Sequence, residues 1–166
     1  ASMLLGSTLD SLLAASILKN LRTLHIRMKQ HSANAMYLAK QFESLGVKTV
    51  YPGLDTHPSH NVFKRQMNTE FGYGGMLTID VGTLEKANAL MELMQGKNLG
   101  YLAVSLGFYK TLFSAPGSST SSEIPEDEQK EMGLSPGLIR FSVGLDNDIK
   151  RTFKSMSACM KSVGVL

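Results

Sequence analysis

The chain has 166 residues, 43% of them hydrophobic and 19% charged, with a formal net charge of +3. That suits one globular domain with its own core, and a mild, scattered basicity with no basic block interleaved with aromatics argues against nucleic acid as a partner. The single cysteine, Cys159, excludes an internal disulfide; with no charged-then-apolar leader and no long apolar span, the composition points to a reducing, cytosolic setting without a membrane anchor.

After its first few residues the sequence enters a helical pattern with no room for a preceding strand, so it reads as a piece of something larger. Ile17, Leu21, Leu24, Met28, His31, Ala35, Leu38, Phe42 and Leu45 keep an unbroken four-three spacing, and Gly46 is placed to end the helix in a left-handed cap. Such a rod would exceed about 40 Å, longer than a small sheet can cover. Residues 1–46 are therefore expected to form a linking helix region that packs partly on another domain or subunit. Charge pairing beside the seam is weak, which argues against a coiled coil. His31 is expected to be a hydrogen-bonded core or interface histidine rather than a ligand.

Residues 47–166 read as a domain of short alternating elements. Val47 to Tyr51 is a strand closed by Pro52-Gly53, and Met76 to Val81 a strand with Met76, Thr78 and Asp80 opposite Leu77, Ile79 and Val81. Thr83 caps a helix whose stripe is Leu84, Ala87, Leu90, Met91 and Met94, ending near Gly96. Tyr101 to Leu106 is the next strand. A long polar loop with an acidic stretch from Glu123 to Glu131 follows, then a strand from Ser135 to Val143 and a closing helix marked by Ile149, Phe153, Met156 and Met160. The fold class is α+β: a small antiparallel or mixed sheet covered on one face by helices, behind a long N-terminal helix.

Residue types alone suggest little chemistry. His57 and His60 flank Pro58 with no cysteine or carboxylate cluster to complete a metal shell, and the glycine-rich GYGG at 72–75 lacks the strand-to-helix context of a phosphate loop. Asp80 and the acidic loop offer no paired carboxylates for acid and base work, and Cys159 reads as an inert core thiol. Arg140 is the exception. Period-two alternation puts Ile139, Phe141 and Val143 on one face of the last strand and Leu138, Arg140 and Ser142 on the other. A permanently charged guanidinium there must meet solvent, a fixed carboxylate or a ligand carrying one. Ser105, like Arg140, sits near a strand end where side chains reach a shared cleft.

The run LRTLHIRMKQHSANA at 21–35, the YPGL and HPSH segments within 51–60, the strand GYGGMLTID, AVSLG at 103–107 and GLIRFSVG at 137–144 occur in one order. Together they resemble the C-terminal domain of the Cys/Met-metabolism enzymes that use pyridoxal 5'-phosphate, which include cystathionine gamma-lyases, cystathionine gamma-synthases, methionine gamma-lyases and homoserine sulfhydrylases. The resemblance implies that Arg140 grips the α-carboxylate of an amino-acid substrate with Ser105 beside it. A planar guanidinium offers two parallel charge-assisted hydrogen bonds, fixing orientation as a lysine could not. Orientation matters where the cofactor ring is the electron sink for the breaking bond.

The resemblance also implies that the Schiff-base lysine, the aspartate facing the pyridinium nitrogen and the phosphate-binding residues belong to a large N-terminal domain whose motifs do not occur here. This chain alone is then expected neither to bind pyridoxal phosphate nor to turn over substrate, and its partners would be its own cofactor domain, a sulfur-containing amino acid and further copies in a homo-oligomer. Val104 stands where cystathionine gamma-lyases tend to carry a glutamate, and an apolar side chain there suits a thioether methyl. AVSLG followed by GSSTSS is most similar to the methionine gamma-lyase branch in its plant form. Two positions depart from the family pattern: Lys110, where an acid is usual, and Ser121, where many members have a histidine. A lyase or sulfhydrylase acting on another thiol substrate is the alternative, and an interaction module without catalysis is the alternative of another class.

Overall fold

A computed structural model of the protein describes residues 9–119 and 123–166. The start of the chain and Ser121 thus lie outside the described residues. Helix α1 (Ser11–Leu21) begins where the Asp10 carboxylate accepts the amides of Leu12 at 2.9 Å and Leu13 at 3.2 Å. None of its residues is buried. Leu13, Ile17 and Leu21 are each at least half exposed and continue into Leu24 and Met28 as an uncovered aliphatic stripe.

The seam expected to run as one rod is broken at Arg22–Thr23, and α2 (Leu24–Ser44) starts afresh. The carbonyl of Asn20, which a continuous helix would offer to the amide of Leu24, instead accepts from the Thr23 amide at 3.4 Å and from Arg27 Nη2 at 2.7 Å. Local side-chain bonding has displaced the helix ladder there. The far end behaves as expected. Gly46 is left-handed at φ 77°, its amide reaches Glu43 O at 2.9 Å and that of Val47 reaches Phe42 O at 3.1 Å. This 5→2 and 6→1 pair is a Schellman motif.

The sheet contains β1 (Lys48–Val50), β2 (Met76–Asp80), β3 (Tyr101–Leu102), β4 (Leu112–Ser114) and β5 (Leu138–Ser142), in the spatial order β1-β2-β5-β4-β3. All neighbours are antiparallel except β3 and β4, which run parallel. Between the strands lie α3 (His60–Gln66), α4 (Leu84–Gly96), a 3-10 turn at Pro116–Ser118 and α5 (Glu126–Glu131), and α6 (Ile149–Ser162) closes the chain. The fold is α+β with a mixed sheet. One core joins Leu77, Ile79, Phe113, Ile139 and Phe141 of the sheet to α2, α4 and α6, through Leu38 and Phe42, Leu90 and Met94, and Met156 and Met160. Cys159 lies in this core, where burial pushes its thiol up, as an inert residue should.

Four further elements differ from the sequence expectation. The strand expected from Tyr101 to Leu106 stops at Leu102, because the last ladder bond runs from Ala103 N to Phe113 O and the following residues turn toward β5. Strand β4 and helices α3 and α5 are short elements that the hydrophobic pattern did not single out.

Polar residues of α2 hold the chain as it leaves β5. His31 Nδ1 lies 2.6 Å from Val143 O, and Asn34 Nδ2 donates to Gly144 O and Asp146 O, each at 2.9 Å. His31 is 4% and Asn34 2% exposed, so these bonds satisfy buried groups that would be costly if left unpaired. His31 is thus the hydrogen-bonded core histidine its place on the seam implied. Gly144 itself passes close to another segment. A Cβ there would stand 2.5 Å from Tyr109 O and 2.6 Å from Thr111 N. Gly144→Ala must therefore push two backbones apart, and we expect a loss of about 1–3 kcal/mol, read as a lower denaturant midpoint with unchanged slope.

Candidate functional site

Strand β5 sets the site. Ile139 and Phe141 are 0% exposed on the helix-covered face, so Arg140 and Ser142 stand on the opposite one. Across β5, Arg140 is in register with Thr78 of β2 and Ser114 of β4. Arg140 as a residue is half-buried, and its guanidinium donates through Nη2 to the carbonyl of Val104 at 2.8 Å in an exposed bond. It forms no ion pair among the described residues. Arg140 is therefore a fixed cation whose remaining N–H donors meet no acid among the described residues.

Val104 and Ser105 belong to the segment that leaves β3. Val104 is 56% exposed, and Ser105, the next residue along, is also exposed, its hydroxyl without a partner among the described residues. The segment is pinned a second time where Ser142 Oγ accepts the amide of Gly107 at 3.0 Å. Of the three residues singled out in the sequence, Arg140 thus meets the backbone of Val104, and Ser105 is the exposed residue that follows it in the chain. Ser142 was placed on the face of Arg140 by alternation but given no role; its signal was its position two residues after the arginine.

Lys110 lies at the end of the same segment. Its ammonium bonds Asn98 Oδ1 and sits 4.6 Å from the centroid of the Tyr101 ring. The charge that departs from the family pattern is thus held against the 98–101 turn, away from the carbonyl that Arg140 grips. Asp80, at the end of β2, is a structural acid. Burial works against its charge, but hydrogen bonds from the Gly82 amide and Ser135 hydroxyl, both at 3.0 Å, and Lys48 at 3.2 Å hold its carboxyl below the usual range.

The other sequence candidates serve packing. His60 places Nδ1 2.9 Å from Pro52 O and stacks on Tyr73, and no group of three metal-ligating residues occurs among the described residues. The GYGG segment is no phosphate cradle. A Cβ at Gly72 would meet Ser32 Oγ at 2.1 Å, and the Gly74 carbonyl accepts the Tyr51 hydroxyl at 2.8 Å. No helix among the described residues is long and apolar enough to cross a membrane.

The family model described as "Cys/Met metabolism PLP-dependent enzyme" matches residues 1–156. Methionine gamma-lyase of Arabidopsis thaliana is 48% identical over 143 residues, covering 86% of this chain and 32% of that protein. Cystathionine gamma-lyase of Dictyostelium discoideum is 37% identical over 133 residues, covering 78% of this chain and 33% of that protein. Among solved structures, a putative O-acetylhomoserine (thiol)-lyase from Campylobacter jejuni, containing N'-pyridoxyl-lysine-5'-monophosphate, superposes with a TM-score of 0.84 at 30% identity, covering 95% of this chain and 37% of that one. The chain spans about a third of the length of the curated relatives it matches.

One polar group beside Arg140 is unexplained by packing. Ser114, 5% exposed, has a buried hydroxyl with no hydrogen-bond partner among the described residues. A native group of this kind carries a desolvation cost without a compensating bond. Ser114→Ala should consequently leave thermal stability unchanged or raise it by up to about 1 kcal/mol, and a clear drop in melting temperature would show a bond to Ser114 that the structure lacks.

Proposed function

The chain belongs to the Cys/Met-metabolism family of enzymes that depend on pyridoxal 5'-phosphate, and from this we propose that it is the substrate-carboxylate-binding part of a carbon–sulfur lyase acting on methionine. The observation that carries the reading is Arg140: a guanidinium fixed by the Val104 carbonyl, without an internal acid, next to the exposed Ser105. One N–H on a backbone carbonyl leaves others to meet a carboxylate side by side through charge-assisted bonds. The Ser105 hydroxyl can add a further donor to the same carboxylate. Together they would fix the amino acid's orientation as well as its position.

The choice of methionine is supported by Val104, whose exposed isopropyl group suits a thioether methyl rather than the charged end of a longer substrate, and by the 48% identity to the Arabidopsis enzyme. The solved relative named as an O-acetylhomoserine thiol-lyase supports a sulfhydrylase as the second reading.

In this reading the cofactor is held by protein outside this chain, which spans about a third of its relatives' length. The uncovered stripe of Leu13, Ile17, Leu21, Leu24 and Met28 gives that protein, or a further copy in an oligomer, an apolar surface to cover. An interaction module without catalysis would use the same stripe but would have no need of Arg140. The single, buried cysteine suits a cytosolic enzyme.

In the full-length enzyme, Arg140→Ala should raise KM for methionine about ten- to hundredfold, the loss of a charge-assisted pair. An unchanged KM would exclude the assigned role, and assays against methionine, cystathionine and O-acetylhomoserine would rank the substrates. The 166-residue chain alone, mixed with pyridoxal phosphate, should leave the cofactor's absorption spectrum as it is in buffer; a new protein-bound band would mean that the chain holds the cofactor itself.

A further inference from the structure

Between Ala103, whose amide makes the last β3 ladder bond, and Tyr109, whose carbonyl accepts the Leu145 amide at 2.7 Å, the backbone follows no strand. Among the described residues this stretch is tied by only two hydrogen bonds, Val104 O to Arg140 Nη2 and Gly107 N to Ser142 Oγ. Both tethers rise from one face of β5, two residues apart, a spacing of about 6.5 Å. Ser105 and Leu106 lie between them, both exposed. Gly107 supports the geometry with a left-handed φ of 71°, which turns its amide back toward the sheet.

We propose that Ser142 is a positioning residue for substrate binding, holding the 104–107 segment so that Ser105 and the Val104 carbonyl keep their places beside Arg140. The inference rests on the reading of Arg140 as the carboxylate clamp. The two tethers are not equivalent. Arg140 is asked to serve both the Val104 carbonyl and an incoming carboxylate, and a charged acceptor competes strongly for its donors. Ser142 has no such second duty. It is 4% exposed, opposite Leu112 of β4, and among the described residues its hydroxyl bonds only the Gly107 amide. When substrate draws on the guanidinium, the Ser142 bond is the one that keeps Ser105 from swinging out into solvent. Removing it loosens the loop in the free enzyme and adds an ordering cost to binding.

The test uses the full-length enzyme with Ser142→Ala, Ser142→Thr, Ser142→Cys and, as a separate arm, Arg140→Ala. We expect Ser142→Ala to speed amide exchange across 104–108 and raise KM for methionine about two- to tenfold, the range of one neutral hydrogen bond, with kcat within about twofold. Ser142→Thr, which retains the hydroxyl, should restore both values. Ser142→Cys keeps the size but offers a weak acceptor and should follow the alanine variant, which also serves if the alanine protein does not fold. Wild-type exchange and KM in both the Ala and Cys variants, alongside a raised KM in Arg140→Ala, would overturn the role of Ser142 and leave the clamp standing. Wild-type KM in all of them would remove both. A fall in kcat with KM unchanged would also count against positioning.

Discussion

The structure depends on the two-sidedness of β5. Ile139, Phe141 and Val143 are all 0% exposed, set between β2 and β4 and beneath the helices. A slip of one residue would drive Arg140 into that apolar layer, where an unpaired guanidinium costs many times what any single contact returns. The register is therefore fixed by what must stay out as much as by what must go in. His31 and Asn34 reinforce it from α2 by holding the carbonyls of residues 143, 144 and 146. The same constraint that builds the core puts Arg140 and Ser142 on the opposite side.

Much of this was legible in the sequence because burial imposes period. The faces of β2 and β5, the stripe of α4, the Gly46 cap and the place of His31 all follow from spacing alone. The break between α1 and α2 was not, because the four-three pattern crosses it undisturbed; what ends α1 is the competition of Thr23 and Arg27 for one carbonyl. AVSLG reads as strand by composition, yet composition does not say whether a neighbour is there to pair with it. Strand β4 is three residues long and buried throughout, so it shows no alternation to detect. At the site, the face on which Arg140 stands was legible from alternation, whereas the group that orients the guanidinium is a backbone carbonyl, which leaves no mark in the sequence.

The departure of Lys110 from the family pattern has a local account. Its cation is engaged by Asn98, which takes a positive φ of 60°, and by the ring of Tyr101. A charge change in sequence need not become a charge change at the point of binding when the side chain has partners of its own. Val104 matters differently. Its carbonyl accepts from Arg140 whatever side chain the residue carries, so that bond does not constrain the choice of side chain at 104.

Helix α1 carries a last consequence. Its capped start and lack of any buried residue describe a rod that behaves, in water, like a detergent molecule. Material prepared as this chain alone would tend to form soluble clusters and to stick to vesicles and chromatography resins, through greasy contact rather than through recognition. Its colloidal behaviour would then be governed by the 11 residues from Ser11 to Leu21, while the sheet and its arginine stay folded and largely indifferent to the company the helix keeps.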